Sequence, residues 1–466
     1  MKPYAIKPRL IKLLILLLWI VLFFFWRVGA YTAPMIGEDG HPADIFLHQP
    51  KGPDYLQIAR IDGVPIYFHP EHPAGEYEIL RATGNLFSLF INHELLTEFE
   101  LTVFLRWSYS LFQVFIFLLL ISLILLQGDL LSPRNVISLI GILVFTITPF
   151  SVITSTNLQV DGSVGAFAVG TVGLSLFAFF KTKLPPVFKY GLVLISTFIV
   201  GLGKNEWNVA LLATLVVCFS YTFLLKLYYH RQVRIEFALL CTLMVGAVLG
   251  NIFVYLLDPL NYLGGFDVIS RIHSASKITG VFDFLILVLK RSWMILPHLI
   301  LCVIFLINLG RNISQWHIAV IFLFVYGLFL TGGFFLTQWA RFPRYYAPAF
   351  MALLFSIVLQ FQIQPNIINR KLVGLSFAAL LLISFVYIIQ TFNLSLYLMD
   401  LKERNLGVAV TIEEKEAMSL PAIKPPCIVV TGIAEALHED FDYIANSLGR
   451  HDIETLADKY GRELCE

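Results

Sequence analysis

Three carboxylates and several cations stand where this chain has the residue types for chemistry. Glu38 and Asp39 lie in the run Gly37-Glu38-Asp39-Gly40, and Asp54 precedes Tyr55. All three belong to a hydrophilic segment of about seventy residues, 30–100, which continues through Tyr67-Phe68-His69-Pro70-Glu71-His72-Pro73-Ala74-Gly75-Glu76-Tyr77. Carboxylates are the natural proton acceptors and donors at such a place, and cations hold negative charge as it develops. An insertion this long is usually functional or disordered. Its aromatic residues and proline-bounded apolar clusters argue for order.

The elements that must position these groups are membrane helices. The chain has 466 residues, 58% hydrophobic and only 14% charged, which excludes an ordinary soluble protein and leaves room for about a dozen spans. The net charge of +1 carries no signal for nucleic acid, and none is expected as a partner. Hydropathy predicts a polytopic all-α membrane protein of about eleven helices, at 10–29, 101–127, 136–153, 162–180, 190–203, 207–226, 237–257, 292–309, 317–334, 345–361 and 372–392. Residues 1–392 then form a transmembrane module, with 30–100 as a large structured first loop, and 393–466 form a small soluble C-terminal domain.

Basic residues orient the spans. Lys2, Lys7, Arg9 and Lys12 precede the first, and Arg134, Lys181, Lys183, Lys189, Lys226, Arg231, Arg234, Arg311, Arg370 and Lys371 occupy every second connection. By the positive-inside rule those connections and the N-terminus are cytoplasmic. The first loop has eleven acidic residues against Lys51, Arg60 and Arg81, and is placed outside with the C-terminus. The basic flank, apolar stretch and Val28-Gly29-Ala30 also resemble a cleavable signal peptide; either way the loop stays outside.

The tail from Asn393 has fourteen acids and seven bases, with Pro421, Pro425 and Pro426 before Cys427-Ile428-Val429-Val430-Thr431-Gly432. A short buried strand there, then helical stretches over 433–448 and 452–464, predict a small exocytoplasmic α/β unit. In an oxidising compartment Cys427 and Cys465 are disulfide candidates, with two free thiols as the alternative. Cys218, Cys241 and Cys302 sit in apolar runs as small hydrophobes.

Polar residues that interrupt apolar sequence need a reason. On the predicted outer face they are Asp161 after Thr154-Ser155-Thr156-Asn157, Lys204-Asn205-Glu206-Trp207, Arg271, His273 and Lys277, and Gln338, Arg341, Arg344, Tyr345 and Tyr346. Bland roles compete with functional ones. Glu38 and Asp39 suit a solvated turn, Arg341 and Arg344 suit a headgroup anchor, Lys204 suits snorkelling and Asp161 suits an N-cap.

Taken in order, these residues resemble the GT-C superfamily of membrane glycosyltransferases, nearest to protein O-mannosyltransferases and the lipid A aminoarabinose transferase. Glu38-Asp39 is similar to the family's acidic pair, and His72-Pro73-Ala74-Gly75 to its His-Pro-Pro-x-Gly or Lys-Pro-x-x-Gly element. Leu158-Gln159-Val160-Asp161 is similar to its Leu-Asp span opening, Gly203-Lys204 to its Thr-Lys-Gly break, and Arg344-Tyr345-Tyr346-Ala347-Pro348 to its Arg-Tyr-x-x-Pro. Pro53-Asp54-Tyr55-Leu56-Gln57-Ile58-Ala59-Arg60 also resembles an aminoarabinose-transferase pattern, with residues missing, so Asp54 competes with the acidic pair.

The resemblance implies an inverting transferase that moves a sugar from a polyprenyl-phosphate donor to an acceptor hydroxyl on the exocytoplasmic face. Asp39, then Glu38, then Asp54 rank as catalytic base. Lys204, Arg341, Arg344 and His72 would meet the donor phosphate, with Asp161 and Tyr345 in support. The acceptor is a glycolipid, a glycan or a protein, and membrane lipids surround the helices. No cofactor is certain; some members use a divalent cation, for which His69 and His72 are weak candidate ligands. The compartment implied is the bacterial inner membrane, or the endoplasmic reticulum in a eukaryote. A transporter, a lipid-linked oligosaccharide flippase and an oligosaccharide ligase remain alternatives.

Overall fold

The computed structural model of the chain describes residues 8–28, 31, 60–61, 64–65, 79, 98–126, 132–147, 151–152, 160–230, 232–257, 317–335, 346–363, 382, 427–429 and 463–465. Its frame is helical: α1 (Pro8–Phe25), α2 (Glu98–Leu126), α3 (Pro133–Ile147), α4 (Val160–Lys181), α5 (Pro186–Gly201), α6 (Asn205–Tyr229), α7 (Arg234–Leu257), α8 (Ile318–Phe335) and α9 (Ala347–Ile363). Each coincides with an apolar run expected to be a span. The expected spans at 292–309 and 372–392 lie outside the described residues, apart from Leu382, which is helical. Among the described residues, α6, α7 and Val164–Lys181 of α4 are long and apolar enough to cross a membrane.

Buried on one side and apolar on the other, α6 and α7 have the pattern of helices that face lipid. On α6 the exposed residues include Val209, Val216 and Phe223, and on α7 Val245, Val248 and Ile252. An apolar outer surface of this kind is stable against hydrocarbon and not against water. The inner layer is built from Phe117, Phe177, Phe322, Phe355 and neighbours on α2, α4, α8 and α9.

The helix termini gather into two chemically distinct ends of the bundle. At one, Lys12 donates to the Leu125 carbonyl, and Gln362 Nε2 donates to Asn135 Oδ1 at 2.9 Å and to Ser138 Oγ at 3.1 Å. The Phe180 and His317 rings meet there edge-on at 4.0 Å. The chain leaves α6 through His230, held at φ 48° in the left-handed region. This basic end carries a cavity of about 250 Å³ lined by Phe180, Gln232, Arg234, Ile235, Glu236 and His317.

A close backbone approach lies between α5 and α7. A Cβ on Gly250 would meet the Phe198 carbonyl oxygen at 2.5 Å and Gly201 Cα at 2.7 Å. Those obstacles are backbone and cannot swing aside. Small residues at such crossings let membrane helices gain dispersion contact where no hydrophobic drive separates protein from lipid. Gly250→Ala is therefore expected to destabilise the protein by about 1–3 kcal/mol through overpacking. Gly191→Ala, with nothing within 4 Å of the added atom, should leave the melting temperature unchanged or raise it. Thermal unfolding of the two variants in detergent checks the contrast, and equal losses would contradict it.

Outside the bundle, β1 (Arg60–Ile61) pairs antiparallel with β2 (Val64–Pro65) inside the first-loop segment. In the tail, β3 (Cys427–Val429) pairs parallel with β4 (Glu463–Cys465). The strand expected at Cys427 is present, while the helix expected to run to Leu464 gives way to β4 over its last residues. The ladder sets Cys427 opposite Glu463 and Val429 opposite Cys465. An offset of two residues on neighbouring strands separates the two Cα atoms by about 8 Å. That exceeds the roughly 7 Å a disulfide spans, so the expected Cys427–Cys465 bridge would require this ladder to slip.

Candidate functional site

Opposite the basic end, three helix starts that the sequence keeps far apart come together around Trp207. A Cβ on Gly165 of α4 would lie 2.5 Å from the Trp207 indole and 2.8 Å from Pro348 Cγ of α9. Gly165 stands one turn after Asp161, Trp207 three residues after Lys204, and Pro348 two after Tyr346. Tyr326 of α8 ties into the same point, its hydroxyl donating to the Trp207 carbonyl at 3.2 Å. Only a glycine at position 165 lets the indole and the proline ring approach the α4 backbone this closely.

Lys204 is held by the break between α5 and α6. At 16 residues α5 spans about 24 Å, short of the roughly 30 Å hydrocarbon thickness, so the chain turns before reaching the far surface. Leu202, Gly203 and Lys204 make the turn, and Lys204 caps α6 with φ −53° and ψ 145°. Its carbonyl accepts from the Trp207 N–H at 3.0 Å and the Asn208 N–H at 3.2 Å. Its side chain is 1% exposed. A buried lysine at a helix break, with the buried amides of Asn205 and Asn208 beside it, points to a task for its charge.

Asp161 is the second residue of α4 and so lies within the first turn, two positions past the N-cap place expected for it. Tyr346 opens α9 and is buried. The catalytic candidates Glu38, Asp39 and Asp54 lie outside the described residues, as do His69, His72, Arg341, Arg344 and Tyr345. Among the described residues no three His, Cys, Asp or Glu side chains gather as metal ligands.

A second polar group at this end had no place in the sequence expectations. Arg27, just past α1, is fully buried. Its Nη1 donates to the carbonyls of Phe23 at 3.0 Å and Thr146 at 3.2 Å, and its Nη2 donates to Ser151 Oγ at 2.8 Å. The guanidinium also lies 3.6 Å from the centroid of the Phe23 ring. Beside it the Tyr31 hydroxyl bonds to Ser110 Oγ at 2.8 Å, and burial raises that phenol above its ordinary range, so it stays neutral. Ser151 Oγ donates in turn to Gln113 Oε1 at 3.3 Å. Phe145, adjacent to Thr146, packs on Phe350 of α9 at 4.3 Å, which joins this network to the layer that holds Pro348.

No family model matches the chain. No curated protein and no solved structure proves similar to it either. What the end of the bundle can do must therefore be argued from its residues.

Arg27 clamps the exit of α1, the start of the first-loop segment, to α3 and to Ser151. Replacing it by Leu leaves the Thr146 carbonyl and Ser151 hydroxyl without their donor in a closed interior. The expected cost is about 3 kcal/mol, from hydrogen bonds to a charged group and the acceptors left behind. Unfolding monitored in detergent should show it, and a wild-type melting temperature for Arg27→Leu would remove the clamp. The signal was readable beforehand: an arginine within an expected span demands an explanation.

Proposed function

We propose that the chain is a multi-pass membrane glycosyltransferase that transfers a sugar from a polyprenyl-phosphate donor to an acceptor hydroxyl with inversion at the anomeric carbon. About eleven spans, a cytoplasmic N-terminus, an exocytoplasmic first loop and an exocytoplasmic α/β tail complete the proposal. The observation that carries it is the meeting of the α4, α6 and α9 starts at Trp207, because each start bears a separate element of the resemblance: Asp161, Lys204 and Tyr346-Ala347-Pro348. Random placement of three weak motifs gives no reason for them to share one end of a bundle.

The chemistry asks for this combination. The acceptor oxygen attacks the anomeric carbon while the bond from that carbon to the phosphate oxygen breaks. The acceptor proton passes to a carboxylate, Asp39 before Glu38 and Asp54, and the electron pair leaves with the lipid phosphate. That phosphate goes from one negative charge towards two. A cation beside it binds the transition state more strongly than the ground state, which is the condition for acceleration. Lys204 takes that place, with Arg341, Arg344 and His72 as further donors and Asp161 and Tyr345 in support. The lipid chain lies against the apolar bundle.

Purified protein supplied with radiolabelled sugar on defined polyprenyl phosphates tests the proposal. Donor consumption with inverted product is expected. No consumption of any donor, together with transbilayer movement of a lipid-linked sugar, would replace the transferase by a flippase.

A further inference from the structure

At the start of α6 two amide oxygens are buried and accept nothing. Asn205 and Asn208 are 3% and 5% exposed, and the Oδ1 of each lacks a hydrogen-bond donor. The orientation of Asn208 is set by its surroundings: Nδ2 sits in a cradle of carbonyls, 3.4 Å from Gly201 O, 3.2 Å from Gly203 O and 3.3 Å from Lys204 O. Exchanging nitrogen for oxygen would press oxygen against three oxygens, so Oδ1 must be the atom that points away. Residues three apart on a helix are neighbours on its surface. Asn205 and Asn208 are therefore neighbours on α6, directly after Lys204.

Buried acceptors without donors are rare in native proteins and point to a group that completes them. Phosphate oxygens are acceptors and cannot. The missing group must carry O–H or N–H, and a sugar on a lipid phosphate offers such hydroxyls beside an anion that Lys204 can meet. Resting on the transferase proposal, we infer that Asn205 and Asn208 hold hydroxyl groups of the donor sugar and help to select it. Sugars with those hydroxyls removed or blocked lose the contact and leave two acceptors stranded, the arrangement that gives polar sites their discrimination.

The test compares affinities of the purified full chain for a short polyprenyl phosphate and for the same lipid phosphate carrying one glucose, mannose, galactose or aminoarabinose. Wild type is expected to prefer at least one glycosylated probe over the bare lipid. Asn205→Leu and Asn208→Leu should each reduce that preference by roughly fivefold to tenfold, as loss of a net hydrogen bond requires, with affinity for the bare lipid unchanged. A preference that survives both substitutions, or a wild type that never distinguishes the probes, overturns the sugar contact and leaves the transferase standing. A wild type that binds neither lipid overturns both. Should Asn208→Leu fail to fold for want of its carbonyl cradle, Asn205→Leu, which lies outside that cradle, decides the question.

Discussion

Turnover is expected to fall by about 10²- to 10⁴-fold in Asp39→Asn, the range set by loss of a positioned general base. The substitution keeps the size and shape of the side chain and removes its capacity to take the acceptor proton at neutral pH. Glu38→Gln and Asp54→Asn, made in parallel, should lose less. Single-turnover transfer from a radiolabelled lipid-phosphate sugar measures all three, with donor binding followed separately. A drop confined to Glu38→Gln or Asp54→Asn moves the base to that residue. Indifference of all three would sink carboxylate base catalysis in this segment.

Lys204→Gln should lower kcat by about 10²- to 10³-fold, as removal of a preorganised electrostatic group does. A unit charge about 4 Å from the departing oxygen contributes roughly 4 kcal/mol at an effective dielectric near 20, and about 4 kcal/mol corresponds to roughly a thousandfold in rate. The enclosure of Lys204, 1% exposed at a helix break, keeps bulk water from diluting that interaction. Glutamine keeps a polar side chain one atom shorter and without charge, and the α6 capping bonds run through the backbone carbonyl of residue 204, so the fold should persist. The fall should appear in kcat more than in KM, since the second charge on phosphate arises only as the bond breaks. A stable variant with unaltered kcat would reduce Lys204 to a structural residue of the break.

Hydropathy was sufficient to locate α1 to α9 because a helix in lipid must satisfy its own backbone and face hydrocarbon, a constraint written residue by residue along the chain. The order of basic connections likewise marked which helix ends belong together. The two-residue offset of Cys427 and Cys465 on β3 and β4 was not readable, because register depends on the partner strand. Arg27 was readable in principle, as a charge within an apolar run, but its partners Thr146 and Ser151 lie more than a hundred residues away. Asn205 and Asn208 looked like ordinary polar residues after a lysine until their unpartnered oxygens were located.

By itself, then, the sequence determined that this is a membrane protein of apolar helices with polar residues gathered at their ends, since composition and periodicity act locally. Only the tertiary structure decided that the starts of α4, α6 and α9 share one point, with Gly165 small enough to admit Trp207 and Pro348. That contact is set by side-chain shape across helices far apart in the chain, and no local pattern encodes it.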